Sequence, residues 1–100
     1  MTAELALEKR LRLAVNAAGG HCIKLPANLY RGIPDRLVLL PLGRVFFIEL
    51  KREHAQTTRR VAPNQSVWAE YLLKYGFNFV RISGNDQLKE FVHEHIGNPV

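Results

Sequence analysis

A mixed α/β fold is predicted for this chain, with helices and strands in the order α-β-β-β-α-β-α around a mixed central sheet flanked by helices. Three observations carry the prediction. Near the N-terminus Leu7, Leu11, Ala14, Val15 and Ala18 recur at helical spacing. In mid-chain, RLVLL (Arg36 to Leu40) and VFFIELK (Val45 to Lys51) are two runs of branched and aromatic residues separated by a short turn. Further on, FNFVRI (Phe77 to Ile82) lies between two segments of helical periodicity.

The first helix is expected from Ala3 to Ala18, with Thr2 as its cap and Gly19-Gly20 as its stop. HCIKL (His21 to Leu25) follows as a short strand, and PANLYRGIP is the loop into the mid-chain pair. After that pair, EHAQTTRRVAP is polar and basic and reads as a long loop. Pro63 suits the first turn of a second helix that runs to Tyr75 and stops at Gly76, with Trp68, Tyr71, Leu72 and Tyr75 on its apolar side. A last helix spans Asn85 to Ile96 and turns Leu88, Phe91, Val92 and Ile96 inward.

The 100 residues, 47% hydrophobic and 23% charged, suit one domain over positions 1–100. A chain of this size buries roughly 60–70% of its unfolded surface and needs no disulfide. No apolar run approaches the roughly 20 residues of a membrane span. The start, MTAELALEKRLRLAV, is too charged for a secretory leader. Cys22 is the only cysteine, which fits a reducing, cytoplasmic setting and reads as a small buried hydrophobe. Lys and Arg number 14 against 9 Asp and Glu, a net charge of +5 that favours a polyanionic partner.

The turn between the mid-chain strands predicts where the acids go. Pro41-Leu42-Gly43 fits a three-residue hairpin loop, with helical φ at Pro and left-handed φ at Gly. Leu40 then faces Arg44, Leu39 faces Val45, Leu37 faces Phe47, and Asp35 faces Glu49, with Lys51 one step further on the same side. Opposed carboxylates repel, so something positive belongs between them. Lys51 is one candidate and a hard divalent cation the other; such cations take carboxylate and phosphate oxygens. A solvated hairpin rim, with the acids paired to Arg36, Arg44, Lys51 and Arg52, is the alternative.

In Gly32-Ile33-Pro34-Asp35, then Glu49-Leu50-Lys51, then Pro63-Asn64-Gln65, the sequence resembles the PD-(D/E)XK nucleases, and within them the VRR-NUC (virus-type replication-repair nuclease) domain. The likeness covers nearly the whole chain, and it implies the restriction-endonuclease-like core. It implies that Asp35 and Glu49 bind Mg2+ or Mn2+ with the backbone carbonyl of Leu50, and that Lys51 orients or activates water. Gln65 would be the helix glutamine near that site. The first-helix acid is Glu4 or Glu8; Glu8 is favoured by its distance from Gly19-Gly20, leaving Glu4 as a first-turn charge that suits the helix dipole.

The activity so implied is metal-dependent endonucleolytic hydrolysis of DNA, structure-specific on branched substrates such as Holliday junctions. Stand-alone members of the group are viral or prophage proteins that work as homodimers, so phage-infected or bacterial cytoplasm is the expected location. The aromatic helix Trp68 to Tyr75 would be the contact between copies. Lys24, Arg31, Arg36, Arg59 and Arg60 are the expected DNA contacts, and Tyr30 would stack on a base or close the core. The histidines do not form a zinc pattern: His93 and His95 face different ways on one helix, and no cysteine pair joins them to His21 or His54. Two other classes use the same charge, a non-catalytic nucleic-acid-binding module and a protein-interaction subunit.

Overall fold

A computed structural model describes residues 2–26, 28–51 and 63–97, with the side chains of 63–66 excluded. Helix α1 (Ala3–Ala17) starts where Thr2 accepts the Leu5 N–H at its hydroxyl, 3.1 Å away. Leu7, Leu11 and Val15 form its buried stripe. The helix ends as expected at Gly19, whose φ of 85° is open to glycine. Gly20 follows in a place with no room: a Cβ there would lie 2.2 Å from the Leu39 carbonyl oxygen and about 3.1 Å from the Val15 side chain.

Four strands follow in one sheet, β1 (His21–Lys24), β2 (Arg36–Leu40), β3 (Arg44–Lys51) and β4 (Asn78–Ser83), in spatial order β1-β2-β3-β4. The first three are antiparallel neighbours, and β4 joins β3 in parallel after the crossover helix α2 (Pro63–Lys74). Helix α3 (Gly84–Phe91) follows β4, where the Ser83 N–H donates to Gln87 Oε1 at 2.7 Å. The sheet is mixed, as predicted.

Strand pairing sorts the side chains. Val38, Leu40, Phe46, Ile48, Leu50 and Ile82 form one buried cluster with the apolar stripes of α1 and α3. On the other face Leu37, Leu39, Val45 and Phe47 are half-buried, and Phe47 meets the Phe77 ring edge-on at 5.7 Å. The stripe that leads to Glu49 is therefore the less covered one. The deep stripe instead ends at Arg36, whose burial the alternating pattern did not flag.

Two local departures have physical causes. The hairpin pairs Leu40 with Arg44 and Leu37 with Phe47 as the three-residue turn requires, yet Leu42 as well as Gly43 is left-handed, with φ of 68° and 72°. Leu42 is 96% exposed, so its side chain clashes with nothing beyond its own backbone. The last helix is α-helical only to Phe91 and then widens into a π-helical turn, Val92–Ile96. There His95 packs on Phe46 and Phe91, at ring distances of 4.9 and 5.2 Å, and its carbonyl accepts from Arg44 Nη1 at 2.6 Å. A strictly α-helical continuation would turn the ring and the carbonyl elsewhere. The expected long loop from Glu53 lies outside the described residues.

Two substitutions test this account by urea unfolding. Gly20→Ala should destabilise by about 1–3 kcal/mol, because the added methyl overpacks against backbone. Leu42→Gly should stabilise by a few tenths to about 1 kcal/mol by removing a left-handed side-chain penalty.

Candidate functional site

Asp35 stands where the loop from β1 enters β2. Its carbonyl accepts the Leu25 N–H at 2.9 Å, Ile33 N–H donates to the Tyr30 carbonyl at 3.2 Å, and Pro34 is fully buried beside it. Gly32 supplies a left-handed φ of 82° in that loop. The loop is thus pinned on both sides of the acid. Arg36 pairs with Ile48 in the sheet, so one step further Asp35 lies opposite Glu49, as the turn predicted.

At this end β2 has run out, and the Leu50 N–H donates to Asp35 Oδ1 instead, at 3.2 Å. Glu49 is 4% exposed, and its Oε2 lies 3.4 Å from Lys51 Nζ. Asp35 Oδ1 and Arg36 Nη1 are 3.8 Å apart, while Nη1 donates to the Asp35 carbonyl at 3.0 Å. Both acids, with Leu50, Arg36, Lys24 and Glu4, line a cavity of about 430 Å³ at the sheet end.

Burial pushes the Asp35 carboxyl above its ordinary range; the Leu50 N–H, Arg36 and Lys51 pull it back, and Glu4 adds to the rise. Glu49 is raised by burial first and then by the charge of Asp35, against Lys51 and the Asp35 backbone N–H. Two carboxyls raised by burial in one cavity, one of them raised further by its neighbour's charge, mark a candidate functional site. Among the described residues, no group of three or more His, Cys, Asp or Glu could by itself hold a metal ion. Asp35 and Glu49 line the cavity together with Glu4, but the three do not form such a group.

The other expected site residues are distributed unevenly. Lys51 is beside Glu49, and Lys24 lines the cavity from an exposed position. Arg31 is exposed, and its carbonyl accepts from the Trp68 indole N–H at 3.1 Å. Arg36, expected as an open phosphate contact, is 7% exposed, and its Nε meets no acceptor among the described residues. Glu8 is ion-paired with Arg12 at 3.6 Å, and the helix residues that line the cavity are instead Thr2, Glu4 and Leu5. The opening turn of α1 lines the cavity, and Glu8 lies one turn further along the helix. Gln65 belongs to the first turn of α2, with its side chain outside the description; Arg59 and Arg60 lie outside the described residues.

Glu4, expected as a first-turn charge behind the Thr2 cap, is the α1 acid that lines the cavity. Tyr30 does not close the core: it is exposed and leans on Trp68 at 5.9 Å between ring centres.

The raised Glu49 sets a pH dependence. The folded protein holds this proton more tightly than the unfolded chain, whose glutamate titrates near 4.5. Stability should therefore fall as pH rises from 4.5 through the raised value, and the cost is fully present above it. Glu49→Gln should raise the melting temperature at pH 7 in EDTA. The gain should shrink toward pH 4, which thermal unfolding at both pH values measures.

Comparison with known proteins bears on this arrangement. No family model matches the chain. "Putative nuclease p44" of Acyrthosiphon pisum secondary endosymbiont phage 1 is 39% identical over 64 residues, covering 53% of this chain and 69% of that protein. A solved structure of a VRR_NUC domain superposes with a TM-score of 0.81 at 27% identity, over 95% of this chain and 99% of its own. The opposed acids, the mixed sheet and these two likenesses agree, and the chain belongs to the VRR-NUC group of PD-(D/E)XK nucleases.

Proposed function

We propose that this protein is a Mg2+- or Mn2+-dependent endonuclease that hydrolyses DNA phosphodiesters, with branched DNA such as a Holliday junction as substrate. The observation that carries the reading is the acid pair: Asp35 and Glu49 face each other at the sheet end, both raised by burial, with Lys51 next to Glu49.

The residues fit a hard divalent cation. Mg2+ commonly takes one or two carboxylates and completes its shell with water and phosphate oxygens, so an acid pair suffices. Asp35, Glu49 and the Leu50 carbonyl would hold it, and a bound cation offsets the mutual repulsion of the acids. When bound, the cation supplies Lewis acidity toward a phosphoryl oxygen and lowers the pKa of water.

The chain's own groups do the rest. Lys51 Nζ orients the attacking water and stabilises negative charge that develops on the phosphoryl oxygens. Water oxygen forms the new bond to phosphorus, one ester P–O bond breaks, and a phosphate monoester and a hydroxyl remain. The Leu50 N–H fixes the rotamer of Asp35. Glu4, in the turn of α1 that reaches the cavity, is the better-supported helix acid for a further metal or water contact; Glu8 would act only by releasing Arg12. Gln65 opens α2 and is assigned its place near the metal by the family resemblance.

The basic residues complete the substrate side. Lys24 and Arg31 contact backbone phosphates, with Arg59 and Arg60 assigned the same role from sequence. Arg36 lies beneath Asp35 and steadies the cavity floor rather than the open DNA surface. A homodimer would present two such sites to the two strands of a junction. The setting proposed is the cytoplasm of a bacterial or phage-infected cell; among the described residues no helix is long and apolar enough to cross a membrane.

Nicking of a four-way DNA junction should appear with Mg2+ or Mn2+ and stop with EDTA. Asp35→Ala should lower the single-turnover rate by more than about 100-fold, since losing a metal ligand removes several kcal/mol of transition-state stabilisation. Junction affinity measured in EDTA should remain within about threefold of wild type, because phosphate contacts carry it. Equal nicking by wild type and variant would refute the assignment.

A further inference from the structure

Four aromatic rings follow one another in contact across the surface. Tyr30 meets Trp68 at 5.9 Å between centroids, Trp68 meets Tyr71 at 6.0 Å, and Tyr71 stacks on Tyr75 at 6.1 Å with planes only 12° apart. Three of them are open to solvent: Tyr30 at 63%, Tyr71 at 46% and Tyr75 at 66%. On α2 Leu72 takes the buried position, so these rings are not needed to cover the core. An exposed apolar row of this extent marks a surface that meets something.

We propose that Tyr30, Trp68, Tyr71 and Tyr75 form a stacking platform for unpaired nucleotides of the DNA substrate, leading them to the acid pair. This deepens the nuclease reading above and rests on it. Three features favour nucleotides over another protein surface. First, the row begins in the chain segment that delivers Asp35: Tyr30 and Arg31 immediately precede Gly32-Ile33-Pro34-Asp35, and the Trp68 indole N–H is fastened to the Arg31 carbonyl at 3.1 Å. A base on Tyr30 is therefore a few residues from the cavity.

Second, the charge is right for a polyanion. Exposed cations stand at both ends, Arg31 beside Tyr30 and Lys74 beside Tyr75, with Glu70 the acid on the same helix. The chain carries +5, which attracts the phosphates of a polyanion. Third, the chemistry is right for bases without sequence preference. Every base has a π-face, and an aromatic row within reach of cations binds single strands by stacking while the cations follow the backbone. Paired bases in an intact duplex offer no free faces. The platform thus selects the frayed or unpaired nucleotides found at junctions and flaps.

The stretch Trp68 to Tyr75, which holds three of these rings, was expected from the sequence to be the contact between copies. A second copy seated there would take the rings away from DNA, so the two occupants are distinguishable by one experiment. Trp68 is the only tryptophan, and its emission reports the row directly. In Asp35→Asn protein with EDTA, to prevent cleavage, oligothymidylate should quench Trp68 saturably. Tyr75→Ala and Tyr30→Ala should each weaken that binding by about fivefold to a hundredfold. Tyr75→Phe should retain it, and affinity for a blunt duplex should change little in any variant.

Unchanged oligothymidylate affinity in both alanine variants, with native circular dichroism, would overturn the platform. So would a Trp68 emission shift that depends on protein concentration without DNA and vanishes in Tyr75→Ala, which would give the face to a second copy. Junction cleavage by wild type with Mg2+ is scored separately. Cleavage without quenching overturns the platform alone, whereas quenching without cleavage supports the platform and removes the nuclease reading.

Discussion

The pairing register of β2 with β3 is the constraint on which the rest of the structure depends. A sheet side chain changes face with every residue, so one residue more or less in the Pro41-Leu42-Gly43 turn would send Asp35 to the opposite side from Glu49. Keeping this turn length has a local cost: Leu42 as well as Gly43 must be left-handed. The same register puts Val38, Leu40, Phe46, Ile48 and Leu50 into the cluster with α1 and α3, so a slip would expose the core as well as separate the acids. Folding and site assembly are one event.

That geometry sets a conflict between stability and the proposed chemistry. A half-buried Asp35 and a buried Glu49 at the sheet end resist ionisation, and the groups around them offset only part of the penalty: the Leu50 N–H and Arg36 at Asp35, and Lys51 at Glu49. In the proposed reading a divalent cation supplies the remaining positive charge, so the protein would be more stable with metal than without. Arg36 belongs to this balance. A guanidinium buried under an acid, with one nitrogen lacking an acceptor among the described residues, costs desolvation that a hydrophobe would not, and the nearby acid pair is what makes it tolerable.

Much of this was legible in the sequence because it depends on short-range rules. Turn length and period-two alternation place Asp35 opposite Glu49 with Lys51 alongside, and glycines and prolines mark the ends of α1 and α2. What was not legible depends on how elements dock. Helical periodicity cannot tell which turn of α1 reaches the sheet end, so Glu8 was preferred although Glu4 lines the cavity. Alternation marks which residues share a face but not which face is covered more deeply, so Arg36 was expected in the open. Likewise Trp68, Tyr71 and Tyr75 read as the inward side of a helix; only Leu72 of that side is buried, because α2 rests on β4 through a narrow contact.

The central claim is that a divalent cation occupies the space between Asp35 and Glu49. Anomalous diffraction from crystals soaked in Mn2+ tests it most directly. The account predicts an anomalous peak within coordination distance of both carboxylates, with Lys51 beside it and not between them. An ammonium group from Lys51 seated between the two acids, with no peak there at saturating Mn2+, would contradict it.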